Sequence, residues 1–540
     1  MTDNVAALRH RTSGKSRNNP VQEKKQDVSA LAEQRSGRSS RLFVFTVCLV
    51  FRLINAALTR TYDNPDEYWQ AQEVAHRMVF GYGYVTWEWR EKIRSYAHPL
   101  VFAAIYKLVA MLGLDDTNLL ILAPRYFQAC LAAVADYATY ALAKRTIENN
   151  IAPYILFATL CSWFNFFMAA RTLSNAMETV FTVLALNYWP FPGLVDISLD
   201  RRWQRHYRIA LGLASVACIL RPTNVLIWVF LGLQLLINSP QKRWAILFQT
   251  AMIGIVSLVC VILLDTRIYN GHWRAILSDP VVAPLRFFQV NVVASISLFY
   301  GTHPWHWYFS QGVPVMATTF LPVMMYGYYK LTQSEHRRQA KLYGQLVAWI
   351  LLVYSLLSHK EFRFVFPILP LLLIFAAYGL SQLQGYKKSI IFGLIFTQFP
   401  MGIYLNLWHQ RGVMDVMVWI KQQQPPLVGV LMPCHSTPWQ SIVHNPKVDM
   451  WFLTCEPPLT HDPNYVDEAD QFYANPARFL SQLTRPWPTH LVVFENLLHD
   501  PEVKQILDDG HYHICQRFFN THFHDDKRRR GDVMVLCGGA

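Results

Sequence analysis

Long apolar runs alternate with short polar stretches until about residue 410 of the 540-residue chain, and then stop. A helix needs roughly 20 residues to cross about 30 Å of hydrocarbon, where every backbone polar group must be satisfied within the segment. Runs of suitable length lie near 42–58, 98–113, 119–142, 151–169, 174–192, 208–238, 244–264, 313–330, 343–358, 364–382 and 388–407. The 208–238 run is long enough for two spans broken at Arg221-Pro222, and 281–300 fits neither a span nor a loop cleanly. The pattern predicts a polytopic α-helical membrane protein with about ten to thirteen spans over 42–409.

After residue 410 the period shortens. Apolar stretches at 427–432, 490–496, 512–519 and 532–537 alternate with helix-like segments at 414–424, 476–484 and 500–508. This alternation predicts a small soluble α/β domain over 410–540.

Composition supports a bilayer as the main solvent, with 52% hydrophobic and only 16% charged residues. Residues 1–41 hold nine Lys or Arg against four Asp or Glu, with many Ser, Asn and Gln, and read as a disordered basic tail. The positive-inside rule keeps that tail in the cytosol. The first polar loop, 59–97, then falls on the far side of the membrane. Some forty polar residues precede the first apolar run, which makes it an uncleaved anchor by pattern.

The net charge of +13 resides in the tail, short loops and the KRRR run at 527–530. It reads as membrane-orienting charge, and no nucleic-acid partner is expected. Cys434, Cys455, Cys515 and Cys537 fall in the soluble part, where disulfides are allowed and three pairings are open. His511, His513, His522 and His524 surround Cys515 without zinc-type spacing, so no metal is expected.

Candidate chemistry lies where charge survives beside apolar surface, because ionisable groups there are costly. The loop NPDEYWQAQEVAH places Asp66 and Glu67 side by side. Neighbours on a helix point about 100° apart, so the two cannot face each other as an acid/base pair. One carboxylate is expected to do chemistry and the other to hold it. The plainer alternative makes Asn64 an N-cap and Pro65 the first helical residue, with both acids merely favoured in the first turn.

SHKEFRFVFPILP gathers His359, Lys360, Glu361 and Arg363 before an apolar run. Such cations anchor a span, or clamp a phosphate. YGTHPWHWYF brings His303 and His306 among Trp305, Trp307 and Tyr308, as an aromatic belt or a sugar-stacking platform. Arg171, Asn175 and Glu178 share a helical face, and Arg221 lies in LRPTN, for substrate contact or intramembrane ion pairing. A base, a phosphate-type cluster and many spans together suggest group transfer from a lipid-linked phosphate, since the attacking hydroxyl needs a base while a phosphate leaves with little protonation.

These segments in tandem, from PDEYWQAQEVAH and GYVTWEW through RSYAHP, ARTLSNAME, RPT and HPWHWYFSQG to SHKEFRFVFPILP, resemble the family 22, dolichyl-phosphate-mannose-dependent mannosyltransferases of the GT-C fold. The likeness covers about residues 45–410. It implies an inverting transfer, with Asp66 as base and Glu67 orienting it or binding acceptor. By the same likeness His359, Lys360 and Arg363 hold the donor phosphate, while Trp87, Glu88 and Trp89 help shape the sugar site. It implies no cofactor beyond the donor substrate.

LMPCHSTPWQS, MWFLTCEPP and YVDEADQFYANP resemble the branch of that family acting on glycosylphosphatidylinositol (GPI) anchor precursors. That branch implies a mannosylated glucosaminyl-phosphatidylinositol acceptor, a third mannose in α1,2 linkage, and an endoplasmic reticulum membrane with a luminal site. The alternatives are a mannosyltransferase of the lipid-linked N-glycan pathway and, from another class, a secondary transporter. No internal repeat of the transporter kind is visible.

Overall fold

A computed structural model describes residues 20–195, 202–459, 462 and 465–538. The chain divides into two compact units, Met1–Val47 and Cys48–Ala540. Residues 1–19 of the expected disordered tail lie outside the described residues. From Pro20 the backbone is helical and belongs to the element Pro20–Leu58.

Among the described residues, five helical stretches are each long and apolar enough to cross a membrane: Ser39–Leu58, Leu119–Thr146, Pro240–Asn270, Phe362–Gln382 and Lys387–Gln423. Ala97–Met111 and Pro222–Asn238 are shorter apolar helices. Several predicted spans are broken. The 151–169 run splits into Ala152–Cys161 and Trp163–Met168 at Ser162, whose hydroxyl accepts from the Asn165 amide. The 208–238 run breaks at Arg221-Pro222, where Arg221 is extended and Pro222–Asn224 makes one tight turn. The unassigned stretch 281–300 forms three short turns, interrupted at Ser295 with φ 53°.

Phe362–Gln382 is the central helix, with 89% of its apolar window buried, against 17% for Pro240–Asn270. The latter exposes Phe248, Ile255 and Val256 as a lipid-facing surface. Close packing at the centre depends on glycine, since a side chain at Gly327 would overlap the Phe375 carbonyl and one at Gly379 the Val323 carbonyl. A buried ion pair ties two spans, with Arg52 Nε 2.6 Å from Asp136 Oδ2.

The C-terminal part carries a five-stranded sheet, β1 (Leu427–Leu431), β2 (Asp449–Phe452), β3 (His490–Phe494), β4 (His513–Phe518) and β5 (Val533–Cys537), in the order β2-β1-β3-β5-β4. β1 pairs parallel with β2 and β3, and β5 runs antiparallel to β3 and β4. β2 was not legible in the sequence because its four residues DMWF offer too short a pattern. Disulfides join Cys434 to Cys455 and Cys515 to Cys537, the second pinning the edge strand β4 to its antiparallel neighbour β5.

The sheet packs against the 59–97 loop. One apolar cluster contains Tyr62, Tyr68 and Trp69 of the loop with Val428, Val430, Trp439 and Phe452 of the C-terminal part. The buried Glu73 carboxylate accepts from the Trp439 amide at 2.8 Å, the Ser441 amide at 3.1 Å and the Ser441 hydroxyl at 2.5 Å. Burial outweighs these bonds and lifts its pKa to about 7 from 4.5. A carboxyl whose folded pKa is raised stabilises most below its unfolded value, and that contribution is lost as pH rises through about 7. Thermal stability of the detergent-solubilised protein is therefore expected to fall between pH 5 and pH 8, by on the order of 3 kcal/mol. Glu73→Gln should flatten the profile, and an equally steep profile in that variant would remove Glu73 as the cause.

Candidate active site

The first loop enters its helix as a capped turn. The Asn64 side-chain oxygen accepts from the Asp66 amide at 3.0 Å, and the Glu67 and Tyr68 amides donate to the carbonyls of Asn64 and Pro65. A wider π-type turn follows over Tyr68–Gln72, of the kind that often marks functional sites.

The two adjacent acids go to different places. Glu67 is fully buried and takes a 2.9 Å bond from Arg171 Nη1. The same guanidinium donates to the Phe167 and Thr61 carbonyls and the Thr61 hydroxyl, while the Thr172 hydroxyl donates to the Glu67 carbonyl. Glu67 thus anchors the loop. Asp66 keeps 21% of its side chain exposed, and its Oδ2 lies 2.6 Å from Arg363 Nη1.

Glu361 organises the second motif. Its carboxylate accepts from Arg363 Nε at 2.6 Å and Nη2 at 2.7 Å, from Asn64 at 3.2 Å, and contacts His359 Nε2 at 3.2 Å. Burial favours its neutral form, but the Arg363 charge and the His359 hydrogen bond overcome this and hold it well below the carboxylate range. His359 is raised above its usual value despite burial, by Glu361 and by the Gly301 carbonyl at 3.0 Å from Nδ1. Lys360 is buried, and its ammonium donates to the carbonyls of His303 and Leu357, which makes it a clip between two loops.

A third group closes the recess. Glu88 accepts from Gln70 at 3.2 Å and from Arg94 Nη2 at 2.8 Å, leaving 16% of Glu88 and 23% of Arg94 exposed. Arg94 lies close enough to Asp66 and Arg363 to feel both charges. The sequence reading missed it, and named Glu361 only as a member of the 359–363 cluster and Asn64 only as a cap. The signal available for Arg94 was a cation six positions after Glu88, in WEWREKIR.

The other expected residues divide. Trp87 and Trp89 are buried; Trp87 donates to the Tyr300 hydroxyl at 2.8 Å and Trp89 packs on Tyr96. His303 is exposed, stacks on Trp307 at 4.7 Å and lies beside the 359–361 loop through its backbone. His306 contacts Ser310 on its own turn and is not brought to Asp66. Arg221 pairs with Glu178 at 3.3 Å and lies over the Phe364 ring. Asn175 donates to the Arg363 carbonyl at 3.1 Å. The ARTLSNAME segment thereby fastens both motifs, Glu67 through Arg171 and Thr172, and Arg363 through Asn175. Elsewhere Cys434, His435 and Cys455 bring ligand-type atoms within 4.8 Å of one another, but the two sulfurs are bonded to each other.

A family model described as the Alg9-like mannosyltransferase family matches residues 43–444. The chain belongs to this family. It is a glycosyltransferase by that membership, and the transporter reading falls away. The chain is 40% identical to the human protein GPI alpha-1,2-mannosyltransferase 3, over 90% of this chain and 85% of the relative. It is 38% identical to GPI mannosyltransferase 3 of Candida albicans, over 92% and 98%, and 38% identical to Mannosyltransferase APTG1 of Arabidopsis thaliana, over 93% and 92%. The fold matches ArnT from Cupriavidus metallidurans bound to undecaprenyl phosphate, with TM-score 0.57, 12% identity, and 92% and 97% of the two chains covered. An oligosaccharyltransferase of Archaeoglobus fulgidus superposes at 0.52 with 10% identity, over 86% and 69%. The architecture is therefore of the GT-C type.

Proposed function

We propose that this membrane mannosyltransferase moves mannose from dolichyl-phosphate-mannose to the second mannose of a GPI anchor precursor. The product linkage is α1,2, and the site faces the lumen of the endoplasmic reticulum. The observation that carries this reading is the contact of Asp66, partly exposed, with Arg363. A base and a phosphate-seeking guanidinium share one recess.

In the reaction Asp66 takes the proton from the acceptor 2-hydroxyl as its oxygen attacks C1 of the donor mannose. The bond from C1 to the phosphate oxygen breaks on the opposite face, its electrons remain on dolichyl phosphate, and the anomeric configuration inverts. Arg363, with Arg94 at the rim, balances the phosphate charge, so the scheme calls on no cofactor. A donor phosphate competes with Asp66 for Arg363, which releases the base as the substrate arrives. His359 and Glu361 hold that guanidinium in register, and Lys360 fixes the loop that carries them.

The names and coverage of the relatives support the GPI acceptor over the N-glycan precursor. Expression in cells that lack the third GPI mannose should extend the two-mannose precursor by one hexose, read by lipid mass analysis. An unextended precursor together with a rescued N-glycan mannosylation defect would overturn the acceptor assignment.

A further inference from the structure

Three helices connect the candidate site with a recess on the opposite face of the membrane domain. Ser174–Tyr188 starts beside Asn175, which donates to the Arg363 carbonyl. Val225–Asn238 follows the turn after Arg221, whose guanidinium lies over the Phe364 ring. Arg337–Ser355 ends just before Ser358, whose carbonyl accepts from the His303 amide. With 15, 14 and 19 residues, these helices span roughly 20–30 Å, close to the thickness of a bilayer's hydrocarbon. At their far ends lies an open recess of about 630 Å³, lined by Gly193, Asn238, Ser239, Gln241, Lys242 and Arg338 among others.

The recess has fixed walls. Phe191 is fully buried with its ring 5.6 Å from that of Tyr343, and its carbonyl accepts from the Leu194 and Val195 amides at 3.1 and 3.3 Å. Arg145 holds the same stretch by donating to the carbonyls of Asn187 and Trp189. Across the opening, Arg338 Nη2 donates to the Asn238 side-chain oxygen at 2.9 Å. The Arg338 side chain lies along the backbone of Gly193, where an added Cβ would stand 2.9 Å from Arg338 Cδ. Gly193 also takes φ 90°, so glycine is required there twice over. Among the described residues no acid lines the recess, and neither Lys242 nor Arg338 belongs to an ion pair. Two free cations beside a hydroxyl and a side-chain amide suit the oxygens of a phosphate.

The surroundings decide what carries that phosphate. Leu233 and Ile237 on one bordering helix, and Trp244 and Leu247 on the next, are exposed in the turns adjoining the recess. They form a lipid-facing apolar stripe with a tryptophan at headgroup depth. Cations at span ends suffice to orient a chain in the membrane, but orientation needs neither a recess nor a guanidinium fixed against a glycine. A basic recess between spans, continued by an apolar stripe, fits a lipid headgroup with its chains, whereas a free phosphate would leave the stripe unused. We infer that this recess binds the headgroup of an anionic phospholipid from the leaflet opposite the site, with Lys242 and Arg338 on the phosphate. Only the naming of that leaflet as cytosolic rests on the luminal site proposed above. The bound lipid joins the far ends of helices that carry Asn175, Arg221 and the 358–360 loop, and so stabilises the frame that holds Arg363.

The test uses the purified full chain in a neutral detergent, titrated with dioleoyl-phosphatidylserine and followed by thermal unfolding and native mass spectrometry. Wild type is expected to unfold several degrees higher and to retain one phosphatidylserine. Lys242→Gln combined with Arg338→Gln should weaken that retention by about tenfold or more and remove most of the thermal shift. Arg205→Gln combined with Lys388→Gln removes the same charge from exposed helix starts outside the recess and should behave as wild type. Lys242→Gln alone breaks no described side-chain bond, and it keeps the comparison decisive where loss of the Arg338–Asn238 contact lowers stability. Equal weakening by the two double variants would overturn the recess in favour of diffuse surface charge, and an undiminished shift in the Lys242 and Arg338 variants would overturn it outright. An equal shift with dioleoyl-phosphatidylcholine would overturn the anionic headgroup, and an equal shift with inorganic phosphate alone would overturn a lipid as its source.

Discussion

Asp66→Asn is expected to slow mannose transfer by roughly 10²- to 10⁴-fold, the range in which a positioned general base contributes. The substitution is isosteric, and the amide oxygen preserves a contact to Arg363, which now stands 2.6 Å from the carboxylate. Expression, membrane insertion and donor binding should therefore survive, because Asp66 is not the residue that anchors the loop. Transfer measured with purified protein and both lipid substrates decides the matter. A rate within a few-fold of wild type would exclude Asp66 as the base. The contrast with its neighbour sharpens the test, since a merely structural carboxylate would show its loss in stability first.

Arg171→Met is expected to show the opposite behaviour. It strands the fully buried Glu67 carboxylate and removes four donor contacts, to Glu67, the Phe167 and Thr61 carbonyls and the Thr61 hydroxyl. Breaking one side of a buried ion pair costs about 3–5 kcal/mol, because the remaining charge stays desolvated. Little folded protein should be recovered in detergent, and its unfolding temperature should drop sharply. Adding Glu67→Gln in the Arg171→Met background removes the stranded charge and should restore part of the loss. If Glu67 instead touched substrate, Glu67→Gln alone would keep wild-type stability while losing activity. Thermal unfolding followed by size-exclusion chromatography separates the two cases.

Much of the site was readable as segments. The capped turn at Asn64-Pro65, the helix that follows, and the cationic cluster at 359–363 are local matters of side-chain chemistry and short-range hydrogen bonds. Adjacent placement alone showed that Asp66 and Glu67 do different jobs. Which of them faces the recess depended on Arg171, over a hundred positions away in sequence. In the same way Lys360 looked like a phosphate ligand by type, but two backbone carbonyls already occupy its ammonium. His306 looked like a companion of His303, yet the two side chains meet different partners.

By itself, then, the sequence determined what short range controls. The apolar runs demanded a bilayer, the Arg221-Pro222 break was written into proline's missing donor, and the alternation beyond 410 demanded a small sheet. It also supplied the inventory of a base, a phosphate clamp and paired thiols. Only the tertiary structure decided partners: Asp66 with Arg363, Glu67 with Arg171, Cys434 with Cys455, and Glu73 with the Ser441 turn. The physical reason is that a buried charge or amide is stable only where distant chain supplies its complement, and that complement leaves no periodic trace in the local pattern.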